Sequence, residues 1–351
     1  MLTFYNELHA QHRGRYEIFR GEMVPCFEKP ERADSVLAEL GRRGLGRIVT
    51  PQGVPLMSLE RIHTPRYLHF LRTAWSEWLA LDPANAGKDA FPAVWPVRSL
   101  RHDIEPDNFC AKLGLYSMDS GTPLTAGTWT AAKTGADCAV NAAHALRLGE
   151  RSAFVLSRPP GHHAGADFYG GYCFLNNAAL AAQHMLDDGA RKVAILDIDY
   201  HHGNGTQSIF YTRDDVLFIS IHADPRTEYP FYLGHADEKG AGAGLGYNMN
   251  LPLPANAASP TSASAWFSAL ETACIRLGGF GADALVVSLG VDTFAGDPLS
   301  RFALQSADYL RIGERLAYLG LPTAFIFEGG YAVKELGVNV VNVLEGFETA
   351  L

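Results

Sequence analysis

What is scarce in this chain bounds it first. No C-x-x-C pair occurs, and the five cysteines (Cys26, Cys110, Cys138, Cys173 and Cys274) are odd in number and widely spaced. That pattern fits a reduced compartment, so a cytoplasmic protein is expected. No segment reaches the apolar length needed to cross a membrane. Asn6, Glu7 and His9 interrupt the first residues, so no signal peptide is expected. Positive charge is in deficit: 38 acidic residues stand against 29 basic ones, a net charge of −9. This disfavours nucleic-acid binding through phosphates and favours encounter with a cationic small molecule or a basic peptide. There is no internal repeat and no linker rich enough to split the chain. The 351 residues, 47% hydrophobic, are therefore expected to form one domain (1–351) with loop excursions at about 82–127 and 223–260.

What is present alternates. Short apolar runs at 2–5, 153–156, 193–196, 216–221, 284–289 and 324–327 read as strands. Helical spacing marks 33–45, 58–81 (divided at Thr64-Pro65), 128–148, 177–186, 262–277, 307–319 and 333–348. Gly189 stands where the helix before it should stop, and Ser262 follows Pro260 as an N-cap. Residues 6–32 are polar and read as irregular. The 82–127 excursion carries five prolines with scattered aromatics, which argue for order rather than disorder. Strands alternating with helices predict an α/β fold: a central parallel sheet with helices on both faces.

The stretch at 193–207 organises the chain. Val193-Ala-Ile-Leu196 is followed at once by Asp197-Ile-Asp199-Tyr-His201-His202-Gly-Asn204-Gly. Alternation along an extended chain places Asp197, Asp199 and His201 on one side. Crowded carboxylates repel each other, so a cation is their natural partner. An Asp/His/Asp set with an open position suits Zn2+. The Gly-Asn-Gly that follows reads as a tight turn. Three further strands also end in reactive groups: His162-His163, Asp292 and Tyr331. Each alone has an ordinary reading as a buried histidine pair, a turn cap or a packed ring. Their shared position at strand ends, where open α/β sheets place their sites, points to one common site.

Five ordered motifs carry a resemblance. Arg-Pro-Pro-Gly-His162-His163, Gly170-Gly171-Tyr172-Cys-Phe-Leu-Asn-Asn, Asp197-Ile-Asp199-Tyr-His201-His202-Gly-Asn-Gly-Thr-Gln, Ser288-Leu-Gly-Val-Asp292 and Glu328-Gly-Gly-Tyr331 resemble the histone deacetylase superfamily. The similarity spans nearly the whole chain and is greatest to the bacterial acetylpolyamine amidohydrolases, which Asp224-Pro225 and the segment at 17–27 also resemble. The resemblance implies the arginase–deacetylase fold and the following roles. Asp199, His201 and Asp292 bind Zn2+, with Fe2+ the alternative. His163 is the general base, and His162, oriented by Asp197, assists electrostatically. Tyr331 donates a hydrogen bond to the developing oxyanion. The Gly171 carbonyl accepts from the substrate amide, and Tyr172 and Tyr229 line a narrow channel. Glu17, Phe19 and Glu105 belong to the substrate site. K+ is implied at Asp197 and Ser220 with main-chain oxygens of Asp199, His201 and Ile221, and again at main-chain oxygens near Phe210, Arg213, Val216 and Tyr247. The same branch implies a homodimer that meets through the 82–127 excursion.

Two departures matter. Asn204 stands where some members have an Asp that pairs with the second histidine, which makes His163 less basic. A loop glutamate of the polyamine branch is replaced by Gly121, with Asp119 as the candidate substitute. The leading reading is removal of acetyl groups from acetylated polyamines or small diamines. The alternative is an acyl-lysine protein or peptide deacetylase, since both use the same reaction centre. A non-catalytic acyl-amine binder conflicts with the intact His162, His163 and Tyr331. A two-metal arginase-like hydrolase needs more bridging carboxylates, and metal count per chain separates it.

Overall fold

The computed structural model describes residues 1–97, 99, 101 and 103–350. Arg98, Leu100 and His102, which fall in the expected 82–127 excursion, and Leu351 lie outside the described residues. The strands in chain order are β1 (Leu2–Tyr5), β2 (Tyr16–Phe19), β3 (Glu22–Pro25), β4 (Arg47–Val49), β5 (Ser152–Leu156), β6 (Val193–Asp197), β7 (Val216–Ala223), β8 (Asn248–Leu253), β9 (Ala284–Leu289) and β10 (Thr323–Phe327). The α-helices are α1 (Glu31–Arg43), α2 (Leu56–Leu59), α3 (Pro65–Leu81), α4 (Phe109–Leu115), α5 (Thr128–Arg147), α6 (Asn177–Asp187), α7 (Asn204–Phe210), α8 (Ala263–Gly278), α9 (Ser306–Ala317) and α10 (Val333–Thr349).

Eight strands form one sheet in the order β4-β1-β5-β10-β9-β6-β7-β8, and each pairing within it is parallel. Its strands are apolar on both faces because both faces are covered. Val193 and Ile195 of β6, Val216 and Phe218 of β7, Val286 and Ile326 pack with side chains of α3, α5 and α6. Their neighbours Ala194, Leu196, Leu217, Ile219, Leu285, Val287, Phe325 and Phe327 pack on the other side with α1, α8, α9 and α10. Full burial of one such large apolar side chain stabilises the fold by roughly 1.5–3 kcal/mol. The helix boundaries follow their expected signals. The Thr64 side chain accepts from Tyr67 N at the start of α3, and Ser262 accepts from Ala265 N at the start of α8.

Several expectations need correction. The 6–32 region is not irregular: it holds a 3-10 turn (Glu7–Gln11) and the antiparallel β2–β3 hairpin. The hairpin turns at Arg20-Gly21, both at positive φ, a conformation that suits a two-residue turn. β8 lies inside the 223–260 excursion, paired parallel with β7. Its asparagines and Pro252 disguise a strand that forms because it sits at the sheet edge. β4 is only three residues long, too short for periodicity to register. The Gly-Asn-Gly expected as a tight turn instead starts α7 at Asn204. The 82–127 excursion contains α4, capped by Asn108, and a 3-10 turn (Pro83–Gly87) capped by Asp82.

Candidate active site

Four strands adjacent in the sheet, β5, β10, β9 and β6, send their carboxyl-terminal loops to one rim. β5 leads to His162 and His163, β10 to Glu328 and Tyr331, β9 to Asp292, and β6 to Asp197, Asp199 and His201. Parallel strands share a direction, so the four chain segments with reactive side chains leave the sheet side by side.

The carboxylates are aimed by main-chain donors. Asp199 Oδ1 accepts from His201 N at 2.9 Å and Oδ2 from Gly329 N at 2.8 Å. Asp292 Oδ1 accepts from Tyr200 N at 2.9 Å. Gly329 permits this crowding, because a Cβ there would lie 2.5 Å from Asp199 Oδ2 and 2.6 Å from Asp292 Oδ2. Asp199, His201 and Asp292 offer ligand atoms within 4.8 Å of one another. His201 Nδ1 lies 3.2 Å from Asp292 Oδ2, a buried atom with no hydrogen-bond partner among the described residues. Burial and the Asp199 charge push Asp292 upward. Burial also opposes a charged His201, but Asp199 and Asp292 outweigh it and lift His201 to about 10. Two carboxylates facing one imidazole thus retain a proton. A divalent cation meets the same charge demand and leaves the imidazole neutral, as a ligand must be. The donor set fits Zn2+.

Alternation does not carry Asp197 into this set. β6 ends at Asp197, the chain turns, and Asp197 Oδ1 accepts from Asp199 N at 3.1 Å. Asp197 Oδ2 lies 2.9 Å from His162 Nδ1, so it serves that histidine instead. The neighbouring histidine is paired differently: His163 Nδ1 is 2.7 Å from Asn204 Oδ1. An amide oxygen only accepts, so His163 Nδ1 carries the proton and Nε2 is left free. Burial works against charge on both rings. Asp197 and Asp199 overcome it for His162, which is raised well above its ordinary value. For His163 burial is reinforced by His162 and His201, and it is lowered well below. The sequence motifs placed Asn204 correctly as the partner of His163.

Of these groups His163, His201 and Asn204 reach the floor of a cavity of about 850 Å3, lined among others by Glu17, Phe19, Asp119, Gly171, Tyr172, Tyr229 and Tyr331. Gly171 has φ +53, and a Cβ on it would fall 2.1 Å from His163 Cδ2, so only glycine fits there. Tyr229 stands edge-on to His163 with ring centroids 5.0 Å apart, and Tyr172 stands edge-on to Tyr331 at 5.7 Å. Glu17 is buried in the wall, accepting from the Tyr172 hydroxyl at 2.7 Å and from Phe27 N at 3.0 Å. Burial raises it to about 7. Phe19 packs edge-on to Phe27.

The expectation for Glu105 is not met within one chain. Glu105 is not among the residues lining the cavity. It accepts from the Tyr116 hydroxyl and pairs at 3.3 Å with Lys112 of α4, an attraction invisible before α4 is known. Asp119 does line the wall, but its carboxylate is already engaged. Oδ2 accepts from Gly171 N and, at 2.8 Å, from the Tyr229 hydroxyl, while Oδ1 accepts from Gly121 N and Thr122 N. Of the residues assigned to K+, Asp197 and Ser220 face each other in register across β6 and β7. Ser220 Oγ is 2.8 Å from His222 Nδ1. The Phe210 carbonyl accepts from Arg213 N at 2.9 Å and the Tyr247 carbonyl from Phe218 N at 3.0 Å. Val216 and Ile221 are buried in β7.

Two supports of the site escaped the sequence reading. Asp297 Oδ2 accepts from Tyr331 N at 2.6 Å and Ala332 N at 3.1 Å, fixing the main chain that carries the tyrosine. Its signal was the turn-forming Gly296-Asp297-Pro298. Beneath Tyr331, Arg32 donates to the Gly330 carbonyl at 2.6 Å and to Glu28 Oε1 at 3.0 Å, and Arg158 also pairs with Glu28. Glu28 is held down to about 2: burial opposes its charge, but the two guanidiniums prevail. Glu28 and Arg32 are four residues apart, but their contacts with Arg158 and with the main chain at Gly330 join distant segments and leave no local signature.

Comparison with known proteins places this geometry. A family model described as the histone deacetylase domain matches residues 26–347. The chain is 54% identical over 348 residues to acetylpolyamine amidohydrolase 2 of Pseudomonas aeruginosa, covering 99% of each sequence. It is 45% identical over 346 residues to the acetylpolyamine amidohydrolase of Mycoplana ramosa, again covering 99% of each. The crystal structure of the acetylpolyamine aminohydrolase from Burkholderia pseudomallei matches with a TM-score of 0.93 at 38% identity, covering 100% of this chain and 99% of that one.

Proposed function

The chain belongs to the histone deacetylase family, and on that premise we propose that it is a zinc-dependent amidohydrolase removing acetyl groups from acetylated polyamines or small acetylated diamines. The observation that carries the reading is the convergence of Asp199 and Asp292 on His201, which lines one cavity together with His163 and Tyr331. The relatives' names supply the substrate class. The fold is that of the arginase–deacetylase proteins, and the whole chain acts as one domain.

Asp199, His201 and Asp292 hold the metal. When bound, Zn2+ supplies Lewis-acid polarisation of the amide carbonyl and a more acidic water. The residues do the rest. His163, neutral and with Nε2 free, takes the proton from the attacking water. Asn204 fixes its tautomer. His162, charged and paired with Asp197, stabilises the negative charge that develops beside it. Tyr331 donates its hydroxyl to the carbonyl oxygen as that oxygen becomes an oxyanion. The Gly171 carbonyl accepts the amide N–H, and Tyr172 and Tyr229 confine the acyl-amine chain. Two histidines pushed in opposite directions by their surroundings can divide base and electrostatic work at one pH. K+ at the Asp197–Ser220 pair and at the Phe210, Arg213, Val216 and Tyr247 carbonyls completes the proposal. A cation beside Asp197 tunes the charge that His162 feels.

A homodimer in the cytoplasm is part of the same reading. The excursion exposes Val94, Val97 and Ile104, and Tyr232 at the cavity rim is also exposed. A second copy covering these apolar groups brings its own Glu105 toward the mouth, where the charge meets the free ammonium of a diamine. Stripping the protein of metal and restoring it with Zn2+ or Fe2+ tests the centre. Acetate release from acetylputrescine should return at one equivalent per chain. A requirement for two equivalents supports the arginase-like reading instead.

A further inference from the structure

Directly behind the cavity floor lies a second group of ligand atoms that the proposed reaction does not use as a set. A ring nitrogen of His162, Sγ of Cys173 and a carboxylate oxygen of Glu328 lie within 4.8 Å of one another. All three side chains are buried, Cys173 and Glu328 completely. Glu328 Oε2 accepts from Gly161 N at 2.7 Å and His162 N at 3.1 Å. Its Oε1 has no partner among the described residues, and an unpaired carboxylate oxygen in the interior is costly. His162 Nδ1 is taken by Asp197, so a metal would bind at Nε2, 3.8 Å from Asp199 Oδ1, once that nitrogen has lost its proton. The cysteine thiol donates to the Gly171 carbonyl at 3.3 Å, a weak hydrogen bond that a metal–thiolate bond would replace.

Charge favours an ion here. Asp197, Asp199, Asp292 and Glu328 are four buried carboxylates gathered at one end of the sheet. One divalent cation at Asp199 and Asp292 balances two of them, and His162, while it keeps both ring protons, balances Asp197. Glu328 remains. Imidazole, thiolate and carboxylate together form a borderline-soft donor set that suits Zn2+ and softer ions rather than Mg2+ or Ca2+. Gly171, Tyr172 and His163, chain neighbours of Cys173 and His162, form the cavity wall in front of the group, so an ion reaching the floor is already next to it.

We propose that His162, Cys173 and Glu328 form a second metal site, filled by excess Zn2+ or a softer divalent ion, that inhibits the enzyme. Binding releases two protons to solvent, one from the Cys173 thiol and one from His162 Nε2, and forms a metal–thiolate and a metal–imidazole bond; nothing is oxidised or reduced. A metal on His162 Nε2 withdraws that ring from the reaction, so filling the second site stops turnover while the first stays loaded.

Cadmium tests the site without relying on the substrate. The Asp199, His201 and Asp292 set contains no sulfur, so a thiolate-to-cadmium charge-transfer band reports on a cysteine. The full chain carrying one zinc is titrated with Cd2+, following the band and, separately, acetate release. Cys173→Ala and the volume-preserving Cys173→Ser are titrated in parallel, which subtracts any contribution of Cys26 and Cys110. The wild type should take up a further equivalent with the band and lose activity. Both variants should keep their activity at one zinc per chain, lack the band, and need a metal concentration higher by an order of magnitude or more for the same inhibition. A band that persists in both variants overturns the site, as does a wild type that takes up no further equivalent. Coincident inhibition curves overturn its inhibitory role. Because the band needs no substrate, it stands or falls separately from the acetylpolyamine reading.

Discussion

The floor of the cavity and its mouth are built on opposite plans. At the floor, short loops leave four neighbouring strands, and the carboxylates are pinned by main-chain N–H groups of Tyr200, His201 and Gly329. At the mouth, Phe231, Tyr232 and Leu233 present exposed apolar side chains, and in the 82–127 excursion the charges pair locally, Glu105 with Lys112 and Arg101 with Asp103. A rigid floor fixes the reaction, whereas a mouth made of excursions can be reshaped without disturbing it. The same chemistry can therefore be given to different amines by changing loops alone.

The contrast breaks most readily at the floor. Asp292→Ala removes one of the three proposed metal ligands and leaves too few for a catalytic site. Bound metal and activity should both be lost while the circular dichroism spectrum stays native. Full metal occupancy in this variant rules out Asp292 as a ligand. Tyr331→Phe should keep substrate binding but lower kcat by about 10²–10³, the usual cost of one oxyanion donor. A near-normal kcat makes the ring a packing residue only.

A finer test concerns the two histidines. In the proposed mechanism His163 acts as a base when neutral, and its lowered pKa keeps it neutral well into acid. The acid limb of kcat/KM should therefore lie below the ordinary histidine value, with activity lost as pH falls through the folded pKa. Asn204→Asp places a carboxylate where the amide now stands, which favours the imidazolium. It should move the acid limb upward by about 1–3 pH units. An unmoved limb separates Asn204 from the base.

The difference in legibility follows the same divide. Asp199, His201, Asp292, His163 and Tyr331 each sit within a few residues of a strand end, so an apolar run followed by reactive groups exposes them. Parallel pairing then brings them together without further information. Asp297, Glu28, Arg32 and Arg158 work through contacts between distant segments, which only the packed chain reveals. Glu105 is the opposite case: its motif was visible, but its pairing with Lys112 depended on α4. β8 was hidden because an edge strand tolerates asparagine and proline that a central strand does not.

The smallest effect belongs to Glu105, which only the proposed dimer brings to the mouth. Glu105→Gln should raise KM only a few-fold, for charged acetylated diamines and not for a neutral acetylated amide, since exposed ion pairs contribute about 0–1 kcal/mol. Light scattering should give the dimer mass. A monomer, or equal effects on charged and neutral substrates, removes Glu105 from the substrate site.

The central claim is that this floor hydrolyses small acetylated amines, and one competition addresses it directly. The zinc-loaded protein is offered acetylputrescine, acetylspermidine and an acetyl-lysine peptide under identical conditions, and acetate release is measured for each. The account predicts the highest kcat/KM for the acetylated diamine and little turnover of the peptide. A clear preference for the peptide, or no acetate from any of the three, contradicts it.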